Sequence, residues 1–121
     1  MAVSHEAHVG RGARQVYDAL RRGLSHVSAV SEDWFYDARS GMSVGILLYE
    51  QFFMRVGNDA ALMLVVSGDE TNSRVKAVAC ATYKDFVFRM DFGAAGAFAK
   101  EPMEILNSAF PGEVRIRTLD S

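Results

Sequence analysis

The stretch Met42-Ser-Val-Gly-Ile-Leu-Leu-Tyr-Glu-Gln-Phe-Phe-Met-Arg55 decides the fold. Its longest uninterrupted apolar run, Ile46–Tyr49, is like Ala60–Val66 far short of the roughly 20 residues needed to cross a bilayer. Its Val, Ile, Tyr and Phe content, with a turn signal at Gly57-Asn58-Asp59, reads as one long strand. Side chains on a strand alternate between faces. One row holds Met42, Val44, Ile46, Leu48, Phe52 and Met54, with Glu50 as its polar intruder. The other holds Leu47, Tyr49 and Phe53, so both faces of the strand are apolar.

Outward from this strand, the pattern stays extended on both sides. Val27–Ala38 mixes Val, Trp, Phe and Tyr with polar residues and ends at the turn Arg39-Ser40-Gly41. Ala60–Ser67 follows, then the polar connection Gly68–Ser73, then Arg74–Tyr83, with Phe86–Phe92 continuing the strand beyond a bend at Lys84-Asp85. Near the N-terminus Val3, His5, Ala7 and Val9 alternate with polar residues as a short first strand. After Gly10-Arg11-Gly12 the period changes: Ala13, Val16, Tyr17, Leu20 and Leu24 recur every three or four residues, one face of a helix ending near Ser25–His26. Gly93 to Gly96 reads as a break. Phe98, Ile105, Leu106 and Ala109 mark a second helix, with a kink or restart at Pro102 and an end at Pro111-Gly112. Glu113–Leu119 alternates Val114 and Ile116 against Arg115 and Arg117, the pattern of one further strand.

The predicted class is α+β: strand, helix, four strands, helix, with or without a last strand. Short turns make consecutive strands antiparallel, and the helices pack on one face of the sheet. That element order resembles the TATA-binding-protein-like and helix-grip topologies, a resemblance that carries no function by itself. No internal repeat or linker divides the 121 residues, so they read as one domain, 1–121.

Composition narrows the function classes. With 13 basic and 15 acidic side chains the net charge is −2 with histidines neutral, which is no electrostatic footprint for a nucleic-acid binder. A single cysteine forms no internal disulfide and suits a reducing compartment. The N-terminus lacks the basic and apolar regions of a secretory signal, and no run is long enough for a membrane span. A soluble, cytoplasmic protein is the expectation.

Motifs for chemistry are scarce. His5 and His8, three apart on a strand, point to opposite faces and cannot share an ion. His26 and Cys80 stand alone, so no metal or other cofactor is called for. Cys80 in an Ala-rich strand reads as a small buried hydrophobe. Gly93-Ala-Ala-Gly96 lacks the lysine of a phosphate loop and reads as a plain break before a helix. Glu50 is the informative polar residue: it pairs with Arg55, Arg89 or a backbone group, or lies at a strand bend in water, or is buried with its pKa raised toward general acid–base work. Trp34, Phe35 and Tyr36 are consecutive, so at least one ring points away from the main core.

The residues Tyr49-Glu-Gln-Phe-Phe53, the Gly57-Asn58 turn, the Leu- and Val-rich strand to Gly68, and Phe86–Gly93 resemble a family of small bacterial proteins, domain of unknown function 6054. The resemblance runs over roughly residues 28–110, and Gly93–Pro102 departs from it by being rich in Ala and Gly. It implies no activity and no catalytic residue.

Parity gives the functional expectation. The row Met42 to Met54, the row Phe86, Phe88, Met90 and Phe92, and the small side chains Val75, Ala77, Ala79, Ala81 and Tyr83 form the predicted helix-facing core. The opposite face then carries Leu47, Tyr49 and Phe53, with Met63 and Val65 or Leu62 and Leu64, and Val78 and Cys80. An antiparallel sheet ordinarily leaves one face polar. A second apolar face needs a partner, a ligand or the C-terminal segment across it, unless β-bulges shift the parity. The leading expectation is a non-catalytic homodimer, dissociated by Leu47→Glu or Tyr49→Glu. The competing one is a binder or enzyme of helix-grip type, holding an apolar molecule between sheet and helix with Glu50 and a tyrosine as polar groups. The interface or ligand residues are therefore Trp34, Tyr36, Leu47, Tyr49, Glu50, Phe53, Met63 and Val65, with neither nucleic acid nor membrane as a partner.

Overall fold

The computed structural model describes residues 2–53, 58–81 and 91–119. Its elements follow in the order β1 (Ala2–Val9), α1 (Ala13–Gly23), β2 (Ser28–Asp37), β3 (Met42–Phe53), β4 (Asn58–Gly68), β5 (Ser73–Ala81), α2 (Asp91–Ala109) and β6 (Val114–Leu119). The strands form one antiparallel six-stranded sheet in the order β2-β3-β4-β5-β1-β6. The C-terminal strand is present, as an edge strand on β1.

The α1 stripe folds as its period dictates. Ala13, Val16, Tyr17, Leu20 and Leu24 are buried, while Arg11, Arg14, Arg21 and Arg22 stay exposed. Both helices lie on one side of the sheet: α1 over β3, β4 and β5, and α2 over β1, β4 and β5. Between them and the sheet sits the core, with Leu62, Leu64 and Val66 from β4 and Phe98, Met103 and Leu106 from α2 among its largest members. Val75, Ala77 and Ala79 form the predicted row of small, helix-facing side chains. Small residues there let α2 approach the sheet closely.

The face assignment of β3 is the opposite of the predicted one. Leu47 is 0% and Tyr49 2% exposed, both under the helices. Val44, Ile46 and Leu48 lie on the helix-free side and are only partly buried. Tyr17 packs where Gly45 has no side chain, and Trp34 stacks on Tyr17 with ring centroids 4.9 Å apart. That close approach brings the row Ser43, Gly45, Leu47 and Tyr49 to the helices. Leu62 and Leu64, opposite Tyr49 and Leu47 in register, therefore belong to the core as well.

Two further expectations change at α2. Gly93 to Gly96 is no break, because the helix runs through it from Asp91, and Asp91 and Phe92 are helical rather than extended. Ala94 and Ala95 between the glycines and Ala97 after them are the strongest helix formers and keep the turn helical. Pro102 lies inside the helix and is buried. The predicted strand extension over 86–90 and the residues Met54, Arg55, Gly57, Tyr83 and Arg89 lie outside the described residues.

Candidate functional site

With both helices on one side, no described element covers the other face of the sheet, and the strand registers set its side chains in rows. One row reads Asp33, Ile46, Val65, Lys76, Glu6 and Arg117 across all six strands. A second reads Phe35, Val44, Ser67, Arg74, His8 and Arg115. A third runs Ser31, Leu48, Met63, Val78 and Ser4, and a fourth Ser28, Glu50, Ala61 and Cys80. Side chains within a row are neighbours about 5 Å apart.

The rows share one polarity. Their centre, on β3 and β4, is apolar: Val44, Ile46, Leu48, Met63 and Val65, extended by Val78 on β5. Met63 is 42% exposed and Phe35, at the β2 margin, 59%. On the β2 side the open face carries the Asp33 carboxylate, which accepts a 2.9 Å hydrogen bond from the Ser31 hydroxyl. The β5-β1-β6 side is mainly basic, with Arg74, Lys76, His8, Arg115 and Arg117. Glu6 there has two neighbours, His8 Nε2 at 3.3 Å and the Arg74 guanidinium Nε at 3.7 Å.

The predicted site residues separate into three groups. Glu50, Met63 and Val65 do lie on the open face. Leu47 and Tyr49 do not, so Leu47→Glu and Tyr49→Glu test the core and not a surface. Trp34 and Tyr36 lie on the helix side, where they line an open groove of about 310 Å³ with Arg14, Gln15, Asp69 and Glu70. The Arg14 guanidinium sits 4.9 Å from the Trp34 ring centroid and 5.2 Å from that of Tyr17. Phe53 ends β3, and its side chain lies outside the described residues.

Glu50 is exposed, which removes the burial on which an acid–base role rested. It also stands on the face away from the helices, so it cannot line a pocket between sheet and helix. Cys80 is exposed too, not a buried hydrophobe, because its row is the open one. Among the residues missed from sequence, Ile46, Leu48, Asp33 and Lys76 are the main ones. A usable signal was present: Ser43 and Gly45 are the small members of the β3 row beneath α1, as Ala77 and Ala79 are in β5.

His5 and His8 point to opposite faces, as their spacing requires, with His5 on the helix side. His5, 8% exposed, has Nδ1 3.2 Å from the Thr118 hydroxyl. Burial first, and the Lys100 ammonium second, push its pKa below the ordinary 6.5. It closes one end of a shallow groove of about 490 Å³ between α2 and β6, with Lys100, Glu104 and Asn107 on the helix. No cluster of three metal-ligating side chains occurs among the described residues. No helix among them is long and apolar enough to cross a membrane.

Comparison with known proteins places the chain in a family. The model of a family of unknown function, DUF6054, matches residues 1–109, and the chain belongs to that family. No curated protein matches. Among solved structures, the crystal structure of TTHA0849 from Thermus thermophilus is similar over 89% of this chain and 95% of that one. Identity is 11% and the TM-score 0.38, a likeness that says nothing of ligand or activity.

Proposed function

We propose that this member of the family is a non-catalytic interaction module that forms a homodimer through its helix-free sheet face. The observation that supports the reading is the apolar centre of that face, Ile46, Leu48, Met63 and Val65, on the two adjacent strands β3 and β4. A contiguous apolar patch on a sheet that ought to be polar marks an interface. The C-terminal strand leaves this patch uncovered, since it pairs at the far edge of the sheet, on β1.

A nucleic acid fits the face less well than a protein surface. Arg74, Lys76, Arg115 and Arg117 would attract phosphates, but Asp33 and Glu50 across the apolar centre would repel them. The reading of a pocket between sheet and helix has lost its polar group with the placement of Glu50. Sedimentation velocity on the intact chain at micromolar concentration tests the proposal. A species of twice the chain mass supports it, and a monomer throughout the concentration range overturns it.

A further inference from the structure

We infer that the two copies pack sheet on sheet about a two-fold axis that runs along the strands and passes between β3 and β4, setting Asp33 against the partner's Lys76. The inference rests on the homodimer reading above and adds to it the arrangement of the second copy.

For aligned sheets, a two-fold axis lying in the interface runs either across the strands or along them. An axis across the strands keeps each strand over its own copy. It would set the β2 margin on itself and the basic margin on itself, and an axis through the row of Asp33 would set that carboxylate on the partner's Asp33. Like charges opposed in this way cost affinity. An axis along the strands reverses the strand order and brings opposite margins together. The charge pattern of the face selects the second kind.

The rows then fix where the axis passes. Between β4 and β5, it would lay Ile46 on the partner's Glu6 and Val65 on the partner's Lys76, burying charge against apolar surface. Between β3 and β4, it lays Ile46 on the partner's Val65 and Leu48 on the partner's Met63. One strand further out, Asp33 meets the partner's Lys76, and Phe35 meets the partner's Arg74, a cation over a ring. The charges of β1 and β6 are left in water beyond the partner's β2. Aligned sheets cross at about 30°, and the long Lys and Arg stems span the resulting offset.

Asp33 and Lys76 of one chain are three strand spacings apart, about 14 Å. That exceeds the screening length of about 8 Å at physiological salt. Compensation between changes at these two positions must therefore pass between copies, and the test uses this. The dimer dissociation constants of the unaltered chain, Asp33→Lys, Lys76→Glu and the double variant are compared by sedimentation equilibrium, with thermal melting to check folding. Each single change is expected to weaken the dimer about tenfold, since two copies of the pair are turned from attraction to repulsion. The double variant exchanges the signs of the two positions and restores opposite charges across the interface, so its dissociation constant is expected to return close to the unaltered value.

If the unaltered chain dimerises and the double variant is as weak as the singles or weaker, the axis is overturned while the homodimer stands. If Asp33→Lys instead binds the unaltered chain more tightly than the unaltered chain binds itself, like strands face each other and the axis runs across them. A chain that is monomeric at every concentration removes the homodimer and the axis together. Should Lys76→Glu fail to fold, Phe35→Ala and Arg74→Ala supply a second cycle. Non-additive losses support the arrangement, and strictly additive ones count against it.

Discussion

Gly45 of β3 lies directly beneath the ring of Tyr17 on α1, and a side-chain carbon at this position would collide with Cδ1 of that ring. The contact seats the helix on the Leu47–Tyr49 row and so leaves Ile46 and Leu48 on the open side. Trp34 crowds the same position, tilted 56° to Tyr17. The nearest neighbours of a new methyl group here are two packed rings, with little room to yield. Gly45→Ala is expected to cost about 1–3 kcal/mol, the usual range for overpacking a filled core. Denaturant unfolding measures it, and an unchanged midpoint would contradict the contact.

Tyr49 carries a different kind of tension. Its hydroxyl is buried and has no hydrogen-bond partner among the described residues. Burial, with the Glu32 carboxylate next in weight, pushes its pKa up to about 12 from the ordinary 10.0. Tyr49→Phe removes an unsatisfied polar atom, so stability should hold or rise by up to about 1 kcal/mol. In alkali the sign follows from linkage. The unfolded phenol ionises near pH 10 while the folded one keeps its proton, so stability is full below pH 10 and falls as pH rises toward about 12. Alkaline titration of phenolate absorbance and unfolding, compared between the two chains, should show a shallower loss in Tyr49→Phe.

His5 gives the complementary prediction in acid. Its folded pKa is lowered, so the neutral ring belongs to the folded state and the unfolded chain takes up the proton first. Its contribution is complete above pH 6.5 and is lost as pH falls below that value. A proton NMR titration should place the His5 midpoint below 6.5, and Lys100→Met should raise it part of the way back. A midpoint at or above 6.5 in the unaltered chain would contradict the burial of the ring.

Leu47 and Leu48, adjacent in sequence, should respond in opposite ways. Leu47 is fully buried in the core, so Leu47→Ala should cost about 2–5 kcal/mol of folding stability. Leu48 belongs to the open face, so Leu48→Glu should leave the melting of the monomer nearly unchanged and weaken association. Thermal melts and light scattering on both variants separate the two effects.

The same pair marks where sequence reasoning succeeded and where it stopped. Strand and helix order was legible because Arg39-Ser40-Gly41, Gly68–Ser73 and Pro111-Gly112 punctuate clear periodicities. The α1 stripe was legible because its polar side is charged, and the β5 core row because Arg74 and Lys76 alternate with Val75 and Ala77. In β3 no such contrast exists: Ile46 and Leu48 on one row are as apolar as Leu47 and Tyr49 on the other. Only a neighbour breaks that tie, here Tyr17 over Gly45, and a pairing between distant elements is not written in one strand. Leu62 and Leu64 against Met63 and Val65 in β4 posed the same choice, and the register with β3 resolves it. Glu50 followed its row to the open side, so its value as a polar landmark depended on the same face assignment.

Association through the helix-free face is read most directly from the solution mass of the unaltered chain beside that of Leu48→Glu, by multi-angle light scattering at matched micromolar concentrations. The first should show twice the chain mass and the second a folded monomer, whose melting temperature falls no further than the loss of association requires. An unaltered chain that stays monomeric, or a Leu48→Glu dimer as tight as the original, would contradict an association through the helix-free face.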